Sequence, residues 1–362
     1  MENLFIFDCE VFAHDWLFVF KERSTGEYTI IHNDNDAVVE FMNLKRPMLC
    51  GFNSKHYDCH ILKAVMLDFT PEEIKAVNDT IIVDGVNGWN IPALKESKIF
   101  FNSFDLMDDC QQGTSLKSFE AHLGINIKES DVDFNIDRPL TDTELDETIF
   151  YCKYDVDATE RLFELRQAYL NNKLTLGATK GLEPARALYM TNAKLTSVYL
   201  DAHYPDKGWD DARKYRYPDK LLNQYIPAEV FSFFNRMYDS TISDDDLYDS
   251  KLDITVGDCP CTIAFGGIHG AIPTYMEEAT ETRTIRNKDV ASYYPHLMTL
   301  MGYCSRNIPS PAVYEKTLDD RVAAKRAGNK AVANALKLVL DTVGVKYKKS
   351  IELYQRCQLI AG

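Results

Sequence analysis

The sequence predicts an α/β protein, and three observations carry that reading. Short apolar runs of strand character, LFIF, WLFVF and YTII, open the chain. A helical DAVVEFMNL and another strand-like run, PMLCGF, follow them, so strand and helix alternate. Beyond Pro139, the stretch ETIFYCKYDVDATERLFELRQAYL reads as helical, with Thr141 and Glu144 ahead of it at capping-box spacing.

In chain order, the first three runs suit a strand meander. HILKAVML reads as a helix and KIFFNSFDL as an apolar segment, and SLKSFEAHLG reads as a short helix that Ser115 caps and Gly124 ends. The helical region after Thr141 closes a first domain near residue 172. The pattern is then mixed to about Arg283: turn-like LGATKG, Tyr- and Asp-rich HYPDKGWDD, amphipathic AEVFSFFNRMY and acidic SDDDLYD. Clustered like charges repel, so the acidic run reads as an exposed loop. Strand-like TIAFGGIHGA leads through DVASYYPHLM into two basic helical stretches separated by Gly328 and Asn329. The expected domains are residues 1–172, 173–283 and 284–362.

With 362 residues, 45% hydrophobic and 26% charged, the chain has enough apolar surface for a sizeable core. No run of about 18 apolar residues appears and the start resembles no cleavable leader, so no membrane partner and a cytoplasmic location are expected. The nine cysteines form no CxxC pairs, which suits a reducing compartment, and Cys259 and Cys261 lack the second pair that structural zinc needs. The net charge of −15 is uneven. Residues 301–362 hold 11 Lys and Arg against 5 Asp and Glu, a net +6, leaving −21 for the first 300 residues. That tail is either a phosphate-binding surface or a solvated helical face.

Three acidic patterns stand in order. In FDCE, Asp8 and Glu10 are two apart on an expected strand, so they share a face while Cys9 points to the other. GFNSKHYD follows the strand PMLC and precedes a helix, placing Asp58 where strand end meets helix start; Asn53 suits the turn. Taken alone, Asp58 reads equally as a helix cap and Tyr57 as a buried ring. In YCKYD, Tyr151 and Asp155 are four apart on a helix and project from one side. Converging carboxylates are what two-metal phosphodiester hydrolysis requires, one ion activating water and the other stabilising the leaving oxygen.

DxE, NxxxYD and YxxxD together, in this order, resemble the Exo I, Exo II and Exo III motifs of DEDD-type proofreading exonucleases, in the subclass with tyrosine in the third motif. That resemblance implies a ribonuclease-H-like fold and two Mg²⁺ or Mn²⁺ ions. By position, Asp8 would bridge the ions, Glu10 and Asp155 would hold the water-activating ion, Asp58 would support the second ion's water shell, and Tyr151 would orient the nucleophile. Asp105 and Asp157 are nearby acids outside the pattern.

DVASYYPHLM is similar to motif A of family B DNA polymerases, of viral type. The resemblance implies that Asp289 is a palm metal ligand and that Tyr294 stacks under the incoming sugar and excludes a 2′-hydroxyl; His296 stands where the family usually has Ser. FGGIHGA resembles the glycine-rich segment between the exonuclease and polymerase parts, where Gly266 and Gly267 would let the template backbone approach. Arg321, Lys325 and Lys337 match the helical fingers residues that grip the triphosphate, although Lys337 and Asp341 also suit an exposed i, i+4 pair. The usual KxxxNSxYG reads KLVLDTVG here, with Asp341 in the Asn place, and no DTD-like third motif follows.

The function these resemblances imply is 3′-5′ exonuclease action on single-stranded or primer-template DNA during replication, joined to an α+β partial polymerase palm and fingers. A dNTP is a partner only if the palm is completed, as by a companion polymerase chain, and a viral protein would act in the host cytoplasm. Two other readings stand beside it: a free-standing RNA exonuclease, and a non-catalytic DNA-binding or regulatory remnant using the basic tail and aromatics.

Overall fold

The first three apolar runs form the expected meander: β1 (Leu4–Val11), β2 (Trp16–Glu22) and β3 (Tyr28–His32), paired antiparallel in that order. β4 (Met48–Gly51) and β5 (Asn102–Asp105) add parallel to the other side of β1, giving the order β3-β2-β1-β4-β5 with β1 central. The computed structural model describes residues 3–108, 110, 113–128, 130–203, 227–236, 239, 241–264, 267–286, 290, 292–300 and 307–345. The chain divides into two compact units, Met1–Leu195 and Thr196–Gly362.

In the first unit the sheet is covered on both faces, which is why Trp16, Leu17, Phe18, Val19 and Phe20 are buried without alternation. Phe5, Phe7, Cys9 and Val11 of β1 pack with α1 (Asn35–Lys45), α2 (Asp58–Met66), α3 (Pro71–Ile82) and α4 (Pro92–Glu96). Leu4 and Ile6 face the other way, in a core with α6 (Asp142–Leu165), α7 (Gln167–Thr179) and α8 (Pro184–Tyr189). The unit is α/β, as expected, and its mixed five-stranded sheet between helical layers fits a ribonuclease-H-like arrangement.

The local signals read from sequence are present. Ser115 caps α5 (Leu116–Leu123) by accepting from the Ser118 N–H, and Gly124 closes it with φ 68°. Thr141 and Glu144 form a complete capping box on α6. A second capping box, Thr70 with Glu73, starts α3, a helix that the sequence reading passed over although Thr-Pro-Glu-Glu is a start signal. LGATKG is a turn only in its second half. α7 runs on to Thr179, and Gly177 lies inside it, where a Cβ would come within 2.4 Å of the Ala187 Cβ. That glycine serves close helix packing rather than a turn.

The second unit is α+β. β6 (Lys251–Val256), β7 (Cys259–Ala264) and β8 (Gly267–Gly270) form an antiparallel sheet. Ile263 packs with Val230 and Phe233 of α10 (Ala228–Asn235) and Leu247 of α11 (Asp244–Asp249). The acidic run expected as a loop is therefore a short helix. Ser243 caps it, and the helix N-terminus tolerates acidic residues. α9 (Asn192–Tyr199) precedes these elements; α12 (Tyr293–Leu300), α13 (Pro311–Arg326) and α14 (Lys330–Val345) follow. Ser310 caps α13 with Pro311 in its first turn, and the break at Gly328 and Asn329 separates α13 from α14 as read. Among the described residues, no helix is long and apolar enough to cross a membrane.

Candidate metal centre

β1 changes character along its length. Leu4 and Ile6 are buried against the α6 layer, and the same face continues as Asp8 and Glu10, both half-buried. The β1–β4 pairing stops at Ile6 and Cys50, so the two acids lie beyond the shared ladder. They occupy the carboxyl end of the central strand, where the sheet changes from antiparallel to parallel neighbours, a crevice that open α/β sheets use for ligands.

The chain leaves β4 through a tight turn into α2. Gly51 is required there: a Cβ on it would lie 2.5 Å from the Ser54 Cβ and 3.1 Å from the Phe7 ring. Asn53 follows in the left-handed region, φ 61°. Asp105 holds the turn by accepting the N–H groups of Asn53 (2.8 Å), Lys55 (2.9 Å) and Met107 (2.8 Å), which sets it apart from the catalytic pattern. Asp157 is likewise engaged elsewhere, by Lys21 at 2.6 Å. The turn delivers buried Asp58 as the first residue of α2, where the helix dipole favours a negative charge. Gly51→Ala is expected to destabilise the protein by about 1–3 kcal/mol, the usual cost of overpacking, measured by urea denaturation.

α6 supplies the third side. Thr148, Cys152, Val156, Thr159 and Phe163 form its buried stripe, spaced three and four apart. Tyr151 and Asp155 flank that stripe, one helical turn from each other. The Asp155 charge acts on the Tyr151 hydroxyl.

The structure thus gathers Asp8, Glu10, Asp58, Tyr151 and Asp155 from β1, α2 and α6. Burial and the Asp58 charge push Asp8 well above the usual carboxylate range. Burial, then the charges of Asp8, Asp155 and Asp58, raise Glu10 in the same way. Burial brings Asp58 up to about 6, and burial with the Asp8 charge brings Asp155 up to about 7. Burial and the neighbouring carboxylates push Tyr151 upward, so its hydroxyl stays a donor.

Four residues here escaped the sequence reading. The Cys9 thiol donates to Asp58 Oδ1 at 3.2 Å, and the Cys152 thiol to Asp8 Oδ2 at 3.7 Å. Oxygens of Asp8 and Glu10 and the Cys152 sulfur lie within 4.8 Å of one another. Burial raises both thiols well above their ordinary value, so they act as hydrogen-bond donors rather than as thiolate ligands. Lys117 on α5 lies near enough to draw Glu10 and Asp155 downward against those larger effects. Glu120, one turn further on, is buried with neither oxygen hydrogen-bonded, and its charge acts on Asp155. Cys152 was adjacent to a motif residue, but nothing in SLKSFEAHL marks its helix as a neighbour of the carboxylates.

No family model matches the chain, and no curated protein matches it. Among solved structures it is similar to the family B DNA polymerase from the hyperthermophilic archaeon Pyrobaculum calidifontis. Identity is 13% and the TM-score 0.46, over 97% of this chain and 49% of that one. The chain therefore spans about half the length of that polymerase.

That cluster fits divalent magnesium or manganese. Its donors are hard carboxylate oxygens, which these ions prefer, and their crowding is what a dication relieves. Asp289 and Gly266 lie outside the described residues, and Gly267 opens β8. Tyr294, on α12, is 38% exposed. Arg321 on α13 donates to the Ser292 hydroxyl, and both it and Lys337 on α14 act on Asp341. Lys325 is exposed in the last turn of α13.

Proposed function

We propose that the first unit is a metal-dependent 3′-5′ exonuclease, in a chain that also carries a family B-like polymerase region. One observation carries the reading: four carboxylates from three separate elements act on one another in one crevice, and their charges also act on the Tyr151 hydroxyl. A structural role for so many mutually repelling acids is disfavoured, because each costs free energy until a cation neutralises the group.

Asp8, Glu10, Asp58 and Asp155 would hold two Mg²⁺ or Mn²⁺ ions, which supply an activated water and stabilise the leaving oxygen. The protein's own groups do the rest. The Tyr151 hydroxyl, one helical turn from Asp155, orients the attacking water. The Cys9 and Cys152 thiols hold Asp58 and Asp8 in place. Lys117 offsets the negative charge of the crevice as a phosphodiester enters. The substrate is a single-stranded DNA 3′ end, or a frayed primer terminus. The polymerase-like roles of Asp289, Tyr294, Arg321, Lys325 and Lys337, template contact by Asn53, Gly266 and Gly267, and a location in the cytoplasm belong to the same proposal.

The test is digestion of a 5′-labelled single-stranded oligonucleotide in Mg²⁺. A ladder shortening from the 3′ end is expected, with no extension of a primed template by dNTPs. Products from the 5′ end, or none from any DNA or RNA end, would defeat the reading. Tyr151→Phe is expected to slow cleavage by about 10–100-fold with metal affinity nearly unchanged, since only a water-orienting group is lost. Single-turnover rates and a calorimetric Mn²⁺ titration check both halves.

A further inference from the structure

A second feature of the first unit lies on the opposite side of α2. Counted at about 100° per residue from Asp58, Cys59, His60 and Lys63 fall about 100°, 200° and 140° round the helix, away from the carboxylates. That side borders a cavity of about 580 Å³, within the size range of small-molecule sites.

The cavity combines three kinds of group. Trp89, Phe100 and Tyr189 supply flat rings, and Phe100 is left 88% exposed. Lys63 and Arg186 supply positive charge, and among the described residues neither forms an ion pair. Lys55 also borders it but is held by Asp108 and the Tyr189 carbonyl. Glu183 is the acid on the lining, outnumbered by the two cations. His60 is 4% exposed, and its Nε2 has no hydrogen-bond partner, an unmet requirement for a buried ring nitrogen.

We propose that this cavity is a nucleotide-binding site, taking an aromatic base against its rings and a phosphate against Lys63 and Arg186. Stacking on aromatic side chains together with a positive lining is how proteins hold single nucleotides and single strands without reading sequence. An apolar peptide would use the rings but leave both cations unpaired, so a nucleotide satisfies more of the site.

The bound nucleotide is either free or part of a strand, and two probes separate these sources. Tryptophan fluorescence of the full chain, with Trp89 in the cavity, is followed during titration with 5′-AMP and, separately, with an oligomer of eight deoxyadenosines. Both titrations are run in excess EDTA, so that cleavage is blocked and the outcome is independent of the nuclease reading. Saturable quenching by 5′-AMP identifies a free-nucleotide site, and saturation by the oligomer alone identifies a strand site. In either case Lys63→Glu with Arg186→Glu is expected to weaken binding at least about tenfold, through loss of two charge-assisted contacts. Phe100→Ala, at a side chain already in solvent, gives an independent variant with a smaller loss and little risk to folding. Asp8→Ala is expected to leave binding unchanged. The proposal is overturned if neither probe saturates, if charge reversal leaves binding intact, or if binding is lost in Asp8→Ala instead. Equal binding of an acidic peptide of eight glutamates would also overturn it, as charge without a base would then suffice.

Discussion

Replacing Asp8 and Glu10 together by Ala is expected to abolish 3′-end degradation, a fall of at least about a thousandfold in single-turnover rate. These two side chains continue the buried face of β1 into the crevice, and no other described acid reaches the same place from the sheet. The sign of the accompanying stability change separates lost chemistry from lost folding. Both carboxyls are held well above their ordinary range by burial first and then by neighbouring charge, so in the folded, metal-free chain they carry a cost. The double variant should therefore be as stable as the parent, or more so, in EDTA at neutral pH. A variant that is inactive and also melts well below the parent would indicate a structural role. Asp289→Ala is expected to leave degradation largely intact. Primer extension by the Asp8/Glu10 variant, which cannot erase its own products, would show that the polymerase-like region is active in this chain.

Metal removal is expected to have the second largest effect. Excess EDTA should abolish cleavage, and Mg²⁺ or Mn²⁺ should restore it. At about 100 times its Kd, an ion bound only by the folded state adds about 2.7 kcal/mol, enough to raise the melting temperature by several degrees. The pH dependence of the metal-free protein follows from the same crowding. Asp58 and Asp155 are raised from 3.8 to about 6 and about 7, burial being the larger cause for each. Between those values and the unfolded value the folded chain binds more protons than the unfolded one, so stability falls as pH rises from about 4 to about 7, and the raised Asp8 and Glu10 act in the same direction. Added metal should flatten that decline by supplying the countercharge in place of protons. Urea unfolding at several pH values, with and without Mn²⁺, measures it. Full cleavage in EDTA, or stability rising across that window without metal, would count against a metal-binding carboxylate cluster.

Local patterning made most elements of the first unit and the order of the acids legible, whereas α3 and the helical state of α11 were not read from it. Period-2 and period-3.6 patterning placed the meander and the long helix α6, and the caps at Ser115 and Thr141 fixed where α5 and α6 begin, because capping is a contact between residues three apart. The same locality placed Asp8 with Glu10 on one strand face, and Tyr151 with Asp155 on one helix side. Other features required the tertiary structure. Whether Asp58 meets Asp8 depends on Gly51 allowing the Ser54 turn and on Asp105 gripping its backbone, contacts that span some 50 residues of sequence. Gly177 reads as a breaker until Ala187 is seen packed on it. The thiols of Cys9 and Cys152, and the charges of Lys117 and Glu120, join the crevice only because β1, α2, α5 and α6 converge there. The shifts of the carboxylates arise from burial and mutual repulsion, which exist only once separate segments share one poorly solvated space. Local spacing can name candidates for such a site, whereas their energies come from neighbours that only folding supplies.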